Sequence, residues 1–444
     1  MVLTRSVTMD DQHDADCGCQ EYNELSRRQF IATSAGVSAA ALFPAWLPKI
    51  VMSKSYASTR DIIVSVFMRG GADGLSLCVP FADANYYASR STIAIPRPDS
   101  TEATKGIDLD GFFMFPQAMA GGAAGTGGLV PAFKATDLLI VHATGQLNNS
   151  RSHFDAQRYM EVGKPVDPAL VTGWLGRHLA SIPPLKPEAP LRALGVASGL
   201  QKTLVGAPKT LPIADPTNYS IGGSTTTQPQ RIAFLQGDYA GAEEPLHSAA
   251  LDATNTVALL KSVDFKGYVP ANGAVYPNTS FGRALRSVAV LIKNDVGIEA
   301  AQVDLGGWDT HSAQDPLAGS MFRTMQDFSN SLAAFYADVI TTGYSVTVVS
   351  VSEFGRNVRE NGSQGTDHGR GAVMFAMGKG IAGGRVLTKN WPGLARDVLA
   401  DGQDLQVTVD YRDILAEIVQ QRLGNPNLDI VFPTWKPTML GVTR

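Results

Sequence analysis

Val303-Asp304-Leu305-Gly306-Gly307-Trp308-Asp309-Thr310-His311 is the stretch on which the reading of this chain turns. It ends an apolar run of strand character, Ile298 to Leu305, and precedes a run of helical character from about Leu317 to Ile340. Two glycines at a strand end let the backbone turn sharply and approach a ligand closely. Asp309 and His311 are two residues apart, so in extended backbone they project to the same side. A carboxylate and an imidazole leaving a strand together make half of a metal site. The alternative is that Asp309 caps the next helix and His311 is a solvated residue of its first turn.

The 444 residues carry a formal charge of −4 and are 44% hydrophobic. A large core is therefore available, and the charge does not suit a nucleic-acid partner. The 44 glycines fit an α/β chain with many tight strand-to-helix turns. Residues 1–57 read as an address. Ser26-Arg27-Arg28-Gln29-Phe30-Ile31 resembles the twin-arginine export signature, an Ala-rich run follows from Ala32 to Leu47, and Ser55-Tyr56-Ala57 suits cleavage after Ala57. Pro44 and Pro48 interrupt that run, which is too short to span a bilayer. The expectation is a periplasmic or secreted protein, exported folded with a metal already bound, and with no stable membrane span after cleavage. Cys17 and Cys19 fall in the leader, so Cys78 alone remains and no disulfide framework is expected.

Beyond the leader, residues 58–444 read as one α/β domain with helical insertions. Asp61 to Met68 is a nearly continuous apolar run, as in a central strand covered on both faces, and it ends in Arg69-Gly70-Gly71-Ala72-Asp73-Gly74. Ligands of open α/β sheets sit beyond the carboxyl ends of strands, which places Asp73 well for chemistry; a turn aspartate bonding its own backbone is the other reading. Residues 81–135 look irregular, anchored by Phe112, Phe113 and Phe115. A second strand, Leu138 to His142, leads to Ser150-Arg151-Ser152-His153-Phe154-Asp155, where Ser152 and Asp155 loosely resemble a capping box. A serine there stands at a helix N-terminus, whose partial positive charge favours an anion or an alkoxide, unless both hydroxyls are merely caps. Residues 165–285 offer helices and short strands, and His178 and His247 read as structural and surface residues. A strand from Tyr344 to Val351 ends in Ser352-Glu353-Phe354-Gly355-Arg356, and Asp367-His368-Gly369-Arg370-Gly371 precedes another strand, Ala372 to Met377. Leu405–Val409 reads as a short strand before the helix Ile414–Arg422.

Asp73, Ser150, Ser152, Asp309, His311, Glu353 and His368 are thus all expected just after apolar strand runs, where one sheet edge could gather them, and Arg69, Arg356 and Arg370 share their loops. Guanidinium groups there suit a bound anion, and a cluster of carboxylates without cations repels itself, so a metal is the economical explanation. The same motifs, with the twin-arginine leader, resemble the DUF1501 family of exported bacterial proteins, a branch similar to the alkaline phosphatase/sulfatase superfamily. That resemblance implies an alkaline phosphatase-like three-layer sandwich with a central, mostly parallel sheet. It also implies a serine nucleophile at a helix N-terminus, Ser150 first and Ser152 second, with Arg151 beside them and one or two divalent ions (Zn, Mn, Mg or Ca). Asp73 and Glu353 would serve a metal beside the nucleophile, and Asp309, His311 and His368 a second one, with Arg356 and Arg370 on the anion.

The chain departs from the superfamily pattern twice. The usual Asp-x-x-x-His is here Asp309-x-His311, and the Asp-His-Gly motif has become Glu353-Phe354-Gly355, which loses a histidine ligand. Asp73, Glu353 and a serine alone would make an oxygen-rich site suited to a harder ion. The expected function is a metal-dependent hydrolase of a small anionic or polymer-derived phosphate or sulfate ester. A non-catalytic binding or assembly protein with a degenerate site is the alternative, and redox chemistry at the metal a third.

Overall fold

The structure is a computed structural model that describes residues 60–444. The leader expected over residues 1–57, with Cys17, Cys19 and the cleavage point at Ala57, lies outside the described residues.

Nine strands form the main sheet: β1 (Ile62–Met68), β2 (Leu138–Gly145), β3 (Ala193–Gly195), β4 (Thr210–Pro212), β5 (Ala300–Leu305), β6 (Val346–Val351), β7 (Ala372–Met377), β8 (Arg385–Leu387) and β9 (Val409–Asp410). They run in the order β8-β2-β7-β6-β1-β5-β3-β4, with β9 also paired to β2. Every pairing is parallel except those of β7 with β2 and β6. The α/β class and the mostly parallel central sheet expected from the sequence are what the structure shows.

β1 is buried along nearly its whole length because it has layers on both sides. Its Val64, Val66 and Met68 pack into one apolar cluster, and Ile63 and Phe67 into the opposite one. The first cluster takes the apolar stripes of two helices, Ser280–Lys293 and Ser320–Phe335, and the second takes Trp174–Ala180 and Tyr411–Gln421. The result is a helix–sheet–helix sandwich. The helix expected to run to Ile340 stays α-helical only to Phe335 and continues as a wider turn, Tyr336–Ile340. The short strand expected at Leu405–Val409 narrows to Val409–Asp410, since residues 405–408 pass over the end of β2 without ladder pairing.

Parallel pairing brings the carboxyl ends of β1, β2, β5 and β6 to one edge. The antiparallel β7 brings its beginning to that same edge. His368 therefore joins the other candidates although it precedes its strand, which corrects the expectation that all of them follow one.

Candidate metal centre

The edge is held together by close backbone approaches. Gly70 has φ +124° and Gly71 φ +71°, and a Cβ on Gly70 would lie 2.6 Å from Asp309 N. Only glycine lets the turn after β1 pass under the Asp309 loop. Arg356 is fully buried and clamps three loops: Nε donates to Gly71 O (2.6 Å), Nη1 to Thr366 O (2.8 Å), and Nη2 to Gly70 O, Trp308 O and Asp309 Oδ1. Burial pushes the Asp309 carboxyl up, but the Arg356 guanidinium and the neighbouring histidines outweigh it and hold it below the usual carboxylate range.

Three imidazoles converge on Asp309. His153, the first residue of the helix His153–Val162, bonds through Nδ1 to Glu353 Oε1 at 2.8 Å. Its buried Nε2 has no hydrogen-bond partner and lies 3.6 Å from Asp309 Oδ2. His311 bonds through Nδ1 to Asp367 Oδ1 at 2.8 Å, and its Nε2 lies 3.1 Å from Asp309 Oδ1 and 3.0 Å from His368 Nε2. His368 bonds through Nδ1 to the Arg151 carbonyl at 2.9 Å, with Nε2 3.4 Å from Asp309 Oδ1. Ionised carboxylates and carbonyls only accept, so in each ring Nδ1 carries the proton and, in the neutral form, Nε2 is a lone pair. Two such lone pairs 3.0 Å apart repel, and a shared cation removes the repulsion. One donor atom each from His153, Asp309 and His368 falls within 4.8 Å of the others.

These residues fit a metal ion. Each ring is oriented through its far nitrogen, as metal-ligating histidines are. Glu353 is buried and accepts from His153 Nδ1, Gly70 N (2.8 Å) and Gln157 Nε2 (2.9 Å). Burial raises its carboxyl, and the bonds from His153, Gln157 and Gly70 more than reverse that. The same hydrogen bond to Glu353 raises the His153 pKa, whereas burial lowers that of His368. The two nitrogens and one carboxylate of that group, with His311 Nε2 3.0 Å from His368 Nε2, suit a borderline ion such as zinc better than magnesium or calcium. The oxygen-rich set expected beside the nucleophile does not form.

Several expectations need correction. Asp73 does not face the cluster. It is fully buried and ion-paired to the equally buried Arg90 (Oδ2 to Nη1, 2.5 Å), and it also accepts from Ser76 Oγ and Gln314 Nε2. Glu353 stands behind His153 and orients it. Arg356 has every nitrogen engaged by protein acceptors, and Arg69 is held by Asp304, Glu161 and Gln157, so neither presents a free edge to an anion. Arg151 and Arg370 pair with Asp401 and Asp404 in the free protein, with Arg370 Nε left without a partner. Ser152 is the N-cap residue of its helix, yet its side chain makes no capping bond, so the capping box with Asp155 is absent. Ser150 Oγ accepts from Ser152 N at 3.3 Å. Phe354 is buried, with its ring centroid 4.9 Å from that of His153 and 4.7 Å from that of His368. A Cβ on Gly71 would come within 2.4 Å of it. An apolar ring thus lies against two of the converging imidazoles.

His153 is the residue the sequence reading passed over, although it stands in the quoted Ser-Arg-Ser-His-Phe-Asp motif. Its signal was the one that singled out Asp309 and His311, a histidine where a buried strand gives way to a helix.

A family model described as "Protein of unknown function (DUF1501)" matches residues 165–427, more than half of the chain. The chain belongs to the DUF1501 family. Asp309, His311, Glu353 and His368 of this DUF1501 protein lie inside the matched span, and His153 lies just before it. No curated protein matches the chain. Among solved structures, the alkaline phosphatase from the Antarctic bacterium TAB5 is similar at 10% identity, covering 72% of this chain and 93% of that one, with a TM-score of 0.29. A mutant of that enzyme with Mg bound matches at 11% identity over 72% and 92% of the two chains, with a TM-score of 0.28. Among the described residues no helix is long and apolar enough to cross a membrane.

Proposed function

We propose that this DUF1501 protein is an exported, metal-dependent hydrolase of phosphate or sulfate esters. Residues 58–444 act as one domain around a single centre of His153, Asp309, His311 and His368. The observation that carries the reading is the meeting of three Nε2 atoms on one carboxylate at the sheet edge, with the Asp309 and His311 side chains 48% and 45% exposed to solvent. Export rests on the twin-arginine motif at Arg27 and Arg28.

A bound ion would supply a Lewis acid for the ester oxygen. The chain supplies the rest. Ser152 presents a hydroxyl that caps nothing at the positive end of a ten-residue helix, which favours it over Ser150 as nucleophile. Its Oγ forms a bond to phosphorus or sulfur while the ester oxygen leaves as the alcohol, taking the hydroxyl proton. Water then releases inorganic phosphate or sulfate and restores the serine. Phe354 keeps the inner side of the centre dry and confines the chemistry to one ion.

Phe354 also favours the second reading, a binding protein with a centre that holds metal without turnover. The test is metal content after reconstitution with zinc or manganese, alongside hydrolysis of an aryl phosphate and an aryl sulfate. The hydrolase reading expects one ion per chain, loss of ion and turnover together in His368→Ala, and loss of turnover alone in Ser152→Ala. Stoichiometric metal with no hydrolysis of either ester would establish the binding protein instead.

A further inference from the structure

Arg151 and Arg370 differ from the other arginines around the centre. The Arg151 carbonyl receives the His368 Nδ1 proton, and Arg370 follows His368 by two residues, so both are tied to the same ligand. Their guanidinium groups meet over two aspartates. Arg151 Nη2 lies 2.5 Å from Asp404 Oδ2 and 3.5 Å from Asp401 Oδ2, and Arg370 Nη2 lies 2.6 Å from Asp401 Oδ2. The two aspartates are not equivalent. Asp404 has no exposed side-chain surface and accepts from Asn357 Nδ2, whereas Asp401 is 55% exposed.

Arg370 is half used. Its Nε is buried without a hydrogen-bond partner, and Asp404 Oδ2 lies 3.7 Å from it, beyond hydrogen-bond reach. Nε–H and one Nη2–H lie along the same edge of the planar guanidinium, the edge that grips two oxygens of a carboxylate, phosphate or sulfate side by side. Asp401 engages that edge through one oxygen, on Nη2 alone. A buried donor left open is costly, and a two-oxygen anion would satisfy it. Once Asp401 turns out to solvent, two guanidinium charges face the single carboxylate of Asp404, and the position becomes cationic.

We propose that Arg370, assisted by Arg151, forms an anion-binding position beside the metal centre, covered in the free protein by Asp401 and taken over by an anionic group of the ligand. If the hydrolase reading holds, the substrate is an ester carrying a second anionic group, carboxylate, phosphate or sulfate, apart from the scissile one. That substrate class rests on the hydrolase reading; the anion position itself does not.

The test is calorimetric titration of the metal-loaded chain with inorganic phosphate. Asp401→Asn should tighten phosphate binding roughly tenfold, since the charge-assisted bonds no longer compete with an internal carboxylate. Adding Arg370→Lys, which keeps the charge and removes the fork, should cancel that gain. Thermal melting of each variant confirms folding. Unchanged affinity in Asp401→Asn overturns the proposal, and so does equal tightening in the double variant, which would mark a general charge effect. Neither result depends on turnover, so the position and the hydrolase reading fail separately.

Discussion

Replacing Glu353 by Gln isolates what orients the centre from what binds the ion. Three donors converge on Glu353 Oε1: Gly70 N at 2.8 Å, His153 Nδ1 at 2.8 Å and Gln157 Nε2 at 2.9 Å. The carboxylate accepts all three with charge assistance and obliges His153 to carry its proton on Nδ1. A neutral amide oxygen in the same place holds them without that charge, and an amide turned the other way forces the proton onto Nε2, against the ion. Loss of such an orienting partner costs about 10–100-fold in metal affinity, or about 1.4–2.8 kcal/mol. The readout is zinc competition with a chromophoric chelator near neutral pH, together with the visible spectrum of the cobalt-substituted protein and the melting temperature of the metal-free form. Glu353→Gln should weaken zinc and alter the cobalt spectrum while the chain stays folded, and His153→Gln should weaken zinc further. Wild-type affinity and an unaltered spectrum in His153→Gln would remove His153 from the ligand set and refute the reasoning.

Two further outcomes follow from buried groups elsewhere. Asp73→Asn leaves the fully buried Arg90 without its counter-charge. It should lower unfolding free energy by about 3–5 kcal/mol in urea titration, with metal stoichiometry unchanged in the folded fraction; loss of the ion without loss of stability would return Asp73 to the centre. Burial lowers His142 to about 4 and His178 to about 3. From about pH 6.5 down to about pH 4 the unfolded chain therefore takes up protons that the folded chain refuses, so stability falls with pH in that window and is level above it, by about 2 kcal/mol per histidine at pH 5. The raised pKa of His153 acts in the opposite sense, its contribution being lost as pH rises. The drop in urea midpoint between about pH 7.5 and pH 5 should accordingly shrink in His142→Gln by His142's share; an unchanged drop argues against a neutral His142 in the folded state.

The sheet was legible because its central strands are buried on both faces and so are spelled as unbroken apolar runs. Leu138 to His142, Tyr344 to Val351 and Ala372 to Met377 all lie in strands of the structure, the middle one from Val346 on. What the runs do not carry is direction: nothing in Ala372–Met377 says that it lies antiparallel, and that orientation is what delivers His368 to the edge. Asp309, His311 and His368 could be picked out because chemical residues at strand ends are conspicuous one by one. Asp73 was equally conspicuous, and the residue that claims it, Arg90, lies in a stretch with no periodicity to place it. Glu353 was in view and His153 was not, because what sets Glu353 behind His153 is a hydrogen bond between residues 200 apart in the chain.

The place of β1 at the middle of the sheet bears on how the chain is made. Ile63 lies between Ala300 and Thr347, so both neighbours of this strand are synthesised long after it. At about 5–20 residues per second a nascent β1 waits roughly 10–50 seconds for the first of them, with apolar side chains and ladder groups unsatisfied on both sides. An early-made strand with late-made partners favours a chain whose apolar edges are sheltered until synthesis is complete.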